Sequence, residues 1–106
     1  MKGPDERDLA WMVERIRGCS EPQAIYLFGS WARGSAHERS DVDLLMVEPS
    51  RLPQRWRGRE VATALASYPR RFDLLFYTPA ELEEQRRDPC SFISTVLLYA
   101  RMLYAH

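Results

Sequence analysis

Asparagine is absent from this chain, and lysine occurs once, as Lys2; every other basic residue is arginine or histidine. A thermophilic or GC-rich source, or codon bias alone, accounts for both shortages. Cysteine is scarce too. Cys19 and Cys90 stand far apart, outside any CxxC spacing and with no histidine beside them. That argues against a zinc site or a disulfide scaffold and leaves two buried or half-buried thiols as the expectation. No apolar run approaches the roughly 18 residues of a membrane-spanning helix. The opening stretch "MKGPDERDLAWM" is acidic and amphipathic, unlike a signal peptide, so a cytoplasmic location is expected. Net charge is missing as well, because 15 basic side chains face 15 acidic ones. Without a basic surplus the chain is poorly suited to direct, nonspecific nucleic-acid binding.

What remains is ordinary soluble composition, and 106 residues suit a single domain, 1–106, around one core. Residues 5–18 place Leu9, Met12, Val13 and Ile16 at helical spacing, and Gly18 suits the helix end. "AIYLF" (24–28), "DVDLLMV" (41–47) and "RFDLLFY" (71–77) read as strands, the second stopped by Pro49. Residues 54–67, with Trp56, Val61, Ala62, Leu65 and Ala66, predict a helix. "TPAE" (78–81) is a capping box with proline at the first helical position, and it opens a short charged helix ending near "DPC". The tail "SFISTVLLYARMLYA" predicts one last helix, apolar nearly all round and therefore part core, part partner interface. The order describes an α/β (α+β) fold: a small mixed sheet of three or more strands flanked by helices.

The chemistry gathers in "LFGSWARGSAHERSDVDLLMV", residues 27–47. Side chains alternate along a strand, so Asp41 and Asp43 share a face while Val42 and Leu44 enter the core. Two carboxylates so placed repel unless a cation intervenes, and hard oxygen ligands suit Mg²⁺ together with substrate phosphates. Gly29 lets the backbone bend and approach a ligand closely. Ser30 offers a hydroxyl and an amide at the start of a helical turn, where phosphate is favoured, and Arg33 can add a charged contact. Asp73, early in the third strand, supplies a third carboxylate that lands beside Asp43 if the two strands are neighbours; buried there, it needs ligation or hydrogen bonding. A lone Asp-x-Asp or Gly-Ser usually marks only a strand edge or a turn. Together and in this order they say far more.

"GSWARGSAHERSDVDL" resembles the Gly-Ser-x10-Asp-x-Asp signature of the DNA polymerase beta-like nucleotidyltransferase superfamily, since ten residues separate Ser30 from Asp41. The nearest likeness is to the minimal nucleotidyltransferases, antitoxin partners of HEPN-domain toxins, over roughly residues 8–80. The resemblance implies the polymerase beta-like fold. It implies that Asp41, Asp43 and Asp73 hold two Mg²⁺ ions, with Asp73 on the side of the attacking hydroxyl. Gly29 and Ser30 would cradle the β- and γ-phosphates of ATP, with Ser40 assisting. The implied reaction moves AMP onto a hydroxyl, expected to be a tyrosine's, of a HEPN ribonuclease toxin. The short chain is expected to leave presentation of that hydroxyl to the partner. Two alternatives stand beside it: a non-catalytic antitoxin that covers the toxin, and a small-molecule (antibiotic) nucleotidyltransferase subunit.

Three other features have plainer readings. His37 is expected to be a solvated loop residue, and Trp31 to pack under the turn. Helical spacing scatters Arg55, Arg57 and Arg59 around one axis, which predicts a solvated face in place of a nucleic-acid patch.

Overall fold

Asp5 starts the first helix, α1 (Glu6–Cys19): its carboxylate accepts from the Asp8 amide while the Asp8 side chain accepts from the Asp5 amide. This computed structural model describes residues 4–37 and 39–106; Met1–Gly3 of the acidic N-terminal stretch, and Glu38 of the loop before Asp41, lie outside the described residues. The three expected strands are β1 (Ala24–Phe28), β2 (Val42–Val47) and β3 (Phe72–Tyr77). A short helix, α2 (Gly29–Arg33), follows β1 without a break. The crossover from β2 to β3 holds a 3₁₀ turn (Gln54–Trp56) and α3 (Arg59–Leu65). After β3 come α4 (Pro79–Arg86), α5 (Phe92–Leu98) and a fourth strand, β4 (Arg101–Ala105).

The sheet runs β3-β2-β1-β4, with β1 antiparallel to both neighbours and β2 parallel to β3. It is the mixed, helix-flanked sheet that the sequence predicts. On one face α1 and α3 lay Leu9, Met12, Ile16, Val61 and Leu65 against Ile25, Leu27, Val42, Leu44, Met46 and Phe76. On the other, Leu82 and Ile93 of α4 and α5 form a smaller core with Phe28, Leu45 and Val47, flanked by half-buried Tyr26, Leu75 and Tyr77. Each fully buried side chain of this size contributes about 1.5–3 kcal/mol. Among the described residues no helix is long and apolar enough to cross a membrane.

Four expectations need correction. The predicted helix over 54–67 is broken at Gly58, whose φ of +82° is left-handed and whose missing Cβ makes room for the Phe76 ring. Trp56 therefore sits in the 3₁₀ turn, half exposed, and not on the helix. The tail is not one helix. Ser91 caps α5, which stops at Leu98, and the chain then extends as β4 along the free edge of β1. An open edge leaves backbone groups unpaired, and satisfying them outweighs the helical pattern of "YARMLYA". Both cysteines are exposed rather than buried. Arg57 is not on a solvated face. Its side chain is 9% exposed and grips Glu81 bidentately at 2.6 and 3.0 Å, while also donating to the carbonyls of Leu52 and Phe76.

Candidate active site

Antiparallel pairing of β1 with β2 sets Phe28, and hence the corner that follows it, opposite Asp43. Gly29 turns that corner with a φ of +71°, a conformation that L side chains rarely adopt. A second constraint is tighter still. A Cβ at position 29 would stand 1.9 Å from an Asp43 carboxylate oxygen, so the glycine is the space in which that carboxylate sits. Ser30 follows, half-buried, and its carbonyl accepts from Gly34 and Ser35 as α2 ends. With five residues α2 carries little macrodipole, and what it offers a ligand is a cluster of amides without intrahelical partners.

On the other side of Asp43 the parallel register pairs it with Asp73. Neighbouring strands lie about 4.8 Å apart, so the two side chains share one face side by side. β3 is an edge strand and Asp73 is exposed, so burial is not what makes this aspartate unusual, contrary to the sequence argument. Its position beside Asp43 is. Val42 and Leu44 are fully buried beneath, as expected, which turns Asp43 to the opposite face. The amide of Val42 donates to the Arg71 carbonyl at 2.9 Å, extending the ladder toward Asp41.

The electrostatics of Asp43 follow from that company. Burial, then the charge of Asp73, then that of Asp41 push its carboxyl up to about 6, while Arg33 pulls the other way. Asp41, Asp73 and Arg33 thus all act on Asp43, and the three acids outnumber the cation. Among the described residues no three His, Cys, Asp or Glu side chains form a ready-made metal cage. An open set of hard oxygens, short of positive charge, nevertheless fits a cation such as Mg²⁺, which completes its shell with water and substrate phosphates.

The remaining candidates lie on the loop between the two halves. Ser40 Oγ accepts from the His37 amide at 2.9 Å, and the Ser40 amide donates to the His37 carbonyl at 2.9 Å. His37 Nδ1 accepts from the Arg39 amide, so the exposed imidazole is engaged in its own turn. Trp31 packs on the core as expected, and its Nε1–H donates to the Ser40 carbonyl at 3.3 Å. Phe28 and Arg70 were not singled out in the sequence. Phe28 walls Asp43 on the β1 side, and Arg70 stacks over the Trp31 indole at 5.0 Å. The only sequence signal for Arg70 is its place three residues before Asp73.

With this geometry in hand, the comparison with known families is decisive. The nucleotidyltransferase domain profile matches residues 10–101, nearly the whole chain. The chain belongs to the nucleotidyltransferase domain family. No curated protein sequence matches this nucleotidyltransferase closely enough to extend that assignment. Its fold is shared with solved structures. A chain of a toxin–antitoxin complex with AMP-PNP is 20% identical at a TM-score of 0.68, over 93% of this chain and 74% of that one. A chain from the complex of tri-AMPylated Shewanella oneidensis HEPN toxin with MNT antitoxin is 17% identical at a TM-score of 0.59, over 92% and 70%. A Sulfolobus solfataricus protein assigned to the nucleotidyltransferases is 25% identical at a TM-score of 0.56, over 72% and 69%.

Proposed function

We propose that this nucleotidyltransferase transfers AMP from ATP, with Mg²⁺, onto a hydroxyl of a HEPN ribonuclease toxin, and so serves as its antitoxin in the cytoplasm. The observation that carries the reading is the position of Asp43, between the Gly29 corner and Asp73. Asp41, Asp43 and Asp73 would hold two Mg²⁺ ions, which when bound supply charge neutralisation of the triphosphate and acidify the attacking hydroxyl. Gly29 and Ser30 present backbone amides to the β- and γ-phosphates, Arg33 adds charge, and Ser40 keeps a hydroxyl hydrogen to donate. Asp73, exposed on the edge strand, is the carboxylate an incoming hydroxyl meets first and the one positioned to take its proton. The hydroxyl oxygen bonds to the α-phosphorus as the bond to the bridging oxygen breaks, and pyrophosphate leaves.

The acceptor is suggested by the structures that share the fold, one holding AMP-PNP and one whose HEPN toxin carries AMP. Phe92, Leu98, Tyr99 and Met102 are exposed and leave apolar surface for such a partner. The test is intact-mass measurement of the toxin after incubation with this protein, ATP and Mg²⁺, with one or more added AMP units expected. An unmodified toxin that is nevertheless bound and silenced would establish a covering antitoxin instead. AMP found on an antibiotic and never on protein would establish a small-molecule enzyme.

A further inference from the structure

The Trp31 side chain bridges the two halves of the site. It leaves α2 one residue after Ser30, packs against the core on the α1/α3 face, and returns its Nε1–H to the Ser40 carbonyl at 3.3 Å. That carbonyl belongs to the peptide bond that enters Asp41, so the indole restrains the plane from which the Asp41 side chain departs. The same ring lies under the Arg70 guanidinium at 5.0 Å, on the segment that leads to Asp73. The neighbouring Arg71 carbonyl accepts from Val42, which locks that segment to the start of β2. One aromatic side chain thus touches the approach to each carboxylate-bearing strand and to the Gly-Ser corner.

We infer that Trp31 is a positioning residue for Asp41, acting through its indole N–H on the Ser40 carbonyl. Asp41 needs such a device more than Asp43 does. Asp43 is held within β2 by ladders on both sides and by the Gly29 corner, whereas Asp41 precedes the strand and follows a loop. Among the described residues, the other hydrogen bonds of Ser40 and Arg39 run to His37, inside the loop itself. The indole N–H ties this loop end to α2 and the core across nine positions of sequence.

This inference rests on the nucleotidyl-transfer reading for its catalytic arm and on the apo protein for its structural arm. Trp31→Phe keeps an aromatic ring in the core and under Arg70 but removes the donor. In the apo protein, hydrogen exchange of the Val42 amide, which donates to the Arg71 carbonyl, should accelerate about tenfold while that of Leu44 and Met46 stays at the wild-type rate; a merely structural role would loosen all three. In the transfer assay kcat should fall about 10- to 100-fold, as for a misplaced catalytic group, with KM for ATP changed less than about twofold. The Mg²⁺ concentration that gives half-maximal binding of AMP-PNP should rise. Wild-type exchange at Val42, or a wild-type kcat, would overturn the inference. Should wild-type protein transfer no AMP at all, the functional reading falls, and the exchange and Mg²⁺–AMP-PNP measurements still decide this one. Trp31→Tyr, which also lacks a donor at that atom, is expected to behave the same way and serves if Trp31→Phe does not fold.

Discussion

Asp43 and Glu81 belong to opposite ends of the β2–β3 ladder, and the protein treats the two carboxylates in opposite ways. Glu81 is gripped by Arg57 and accepts from the Thr78 amide within its capping box. The Arg57 bond first, then the backbone bond, hold its carboxyl down at about 2. Asp43 is hemmed in by Phe28 and Gly29, faces Asp73 and Asp41, and is pushed up to about 6. The fold therefore supplies a structural carboxylate with its own cation and donors. It leaves the other half-buried beside two like charges, opposed by Arg33, a state that a proton or a bound cation relieves.

The contrast is tested most sharply by removing the site's charge. Asp41→Asn with Asp43→Asn keeps shape and deletes repulsion, so the fold and the toxin complex should survive. AMP transfer should drop at least about 10²–10³-fold, the scale of one lost electrostatic contributor. Mass spectrometry of the toxin reads the loss, and a double variant that still adds AMP would remove these aspartates from the chemistry.

The Gly29 corner comes next. Gly34 has a similar φ of +75° but open space around it, so Gly34→Ala should cost only left-handed strain, about 1 kcal/mol. Gly29→Ala adds collision with Asp43 and should cost roughly 2–4 kcal/mol in urea denaturation. Adding Asp43→Ala should recover part of the difference, and a cycle without coupling would mean that the two residues do not meet.

Acid should separate the carboxylates by sign. Asp43 rises from 3.8 unfolded to about 6 folded, so its contribution to apo stability is complete below 3.8 and lost as pH climbs through 6. Glu81 falls from 4.5 to about 2, so its contribution is present above 4.5 and lost as pH drops through 2. In EDTA, Asp43→Asn should therefore gain on wild type as pH rises from 3.8 to 6. Glu81→Gln should lose to wild type at neutral pH and draw level in strong acid. Parallel melting curves for either variant would contradict the assignment.

The smallest effect on stability is expected at Leu98, which is 73% exposed. Leu98→Asp should shift unfolding by no more than about 0.5 kcal/mol, whereas Ile93→Asp, on the buried side of the same helix, should unfold the domain. Calorimetric titration with the toxin should show weaker binding for Leu98→Asp. Unchanged affinity would move the partner surface elsewhere.

Local signals were strong wherever local chemistry decides the outcome. The strands at 24–28, 42–47 and 72–77 and the Thr78–Glu81 capping box follow from apolar runs and cap residues, and all lie where the pattern predicts. The spacing of Gly29, Ser30, Asp41 and Asp43 pointed to the candidate site, and the Asp43–Asp73 pairing needed only the parallel neighbourhood of their strands. What the sequence hid is tertiary. β4 exists because β1 has an edge to fill, and nothing within "YARMLYA" announces it. Arg57 is drawn out of solvent to half-buried because Glu81 waits for it from another element, which spacing along one helix cannot reveal. Gly58 did carry a signal, since a glycine inside a helical pattern costs about 1 kcal/mol and invites a break.

The pairing of β1 with β4 joins Ala24 to Ala105, across most of the length of the chain. Contacts so distant in sequence close large loops and form late, which slows folding relative to a fold of local contacts. During synthesis β1 can pair with β2 early, but its other edge stays open until β4 has emerged. For that interval the nascent protein carries an unpaired strand edge, a template for strand addition by other chains. The time between translation of β1 and docking of β4 is thus a window in which an open strand edge exposes this protein to aggregation and proteolysis.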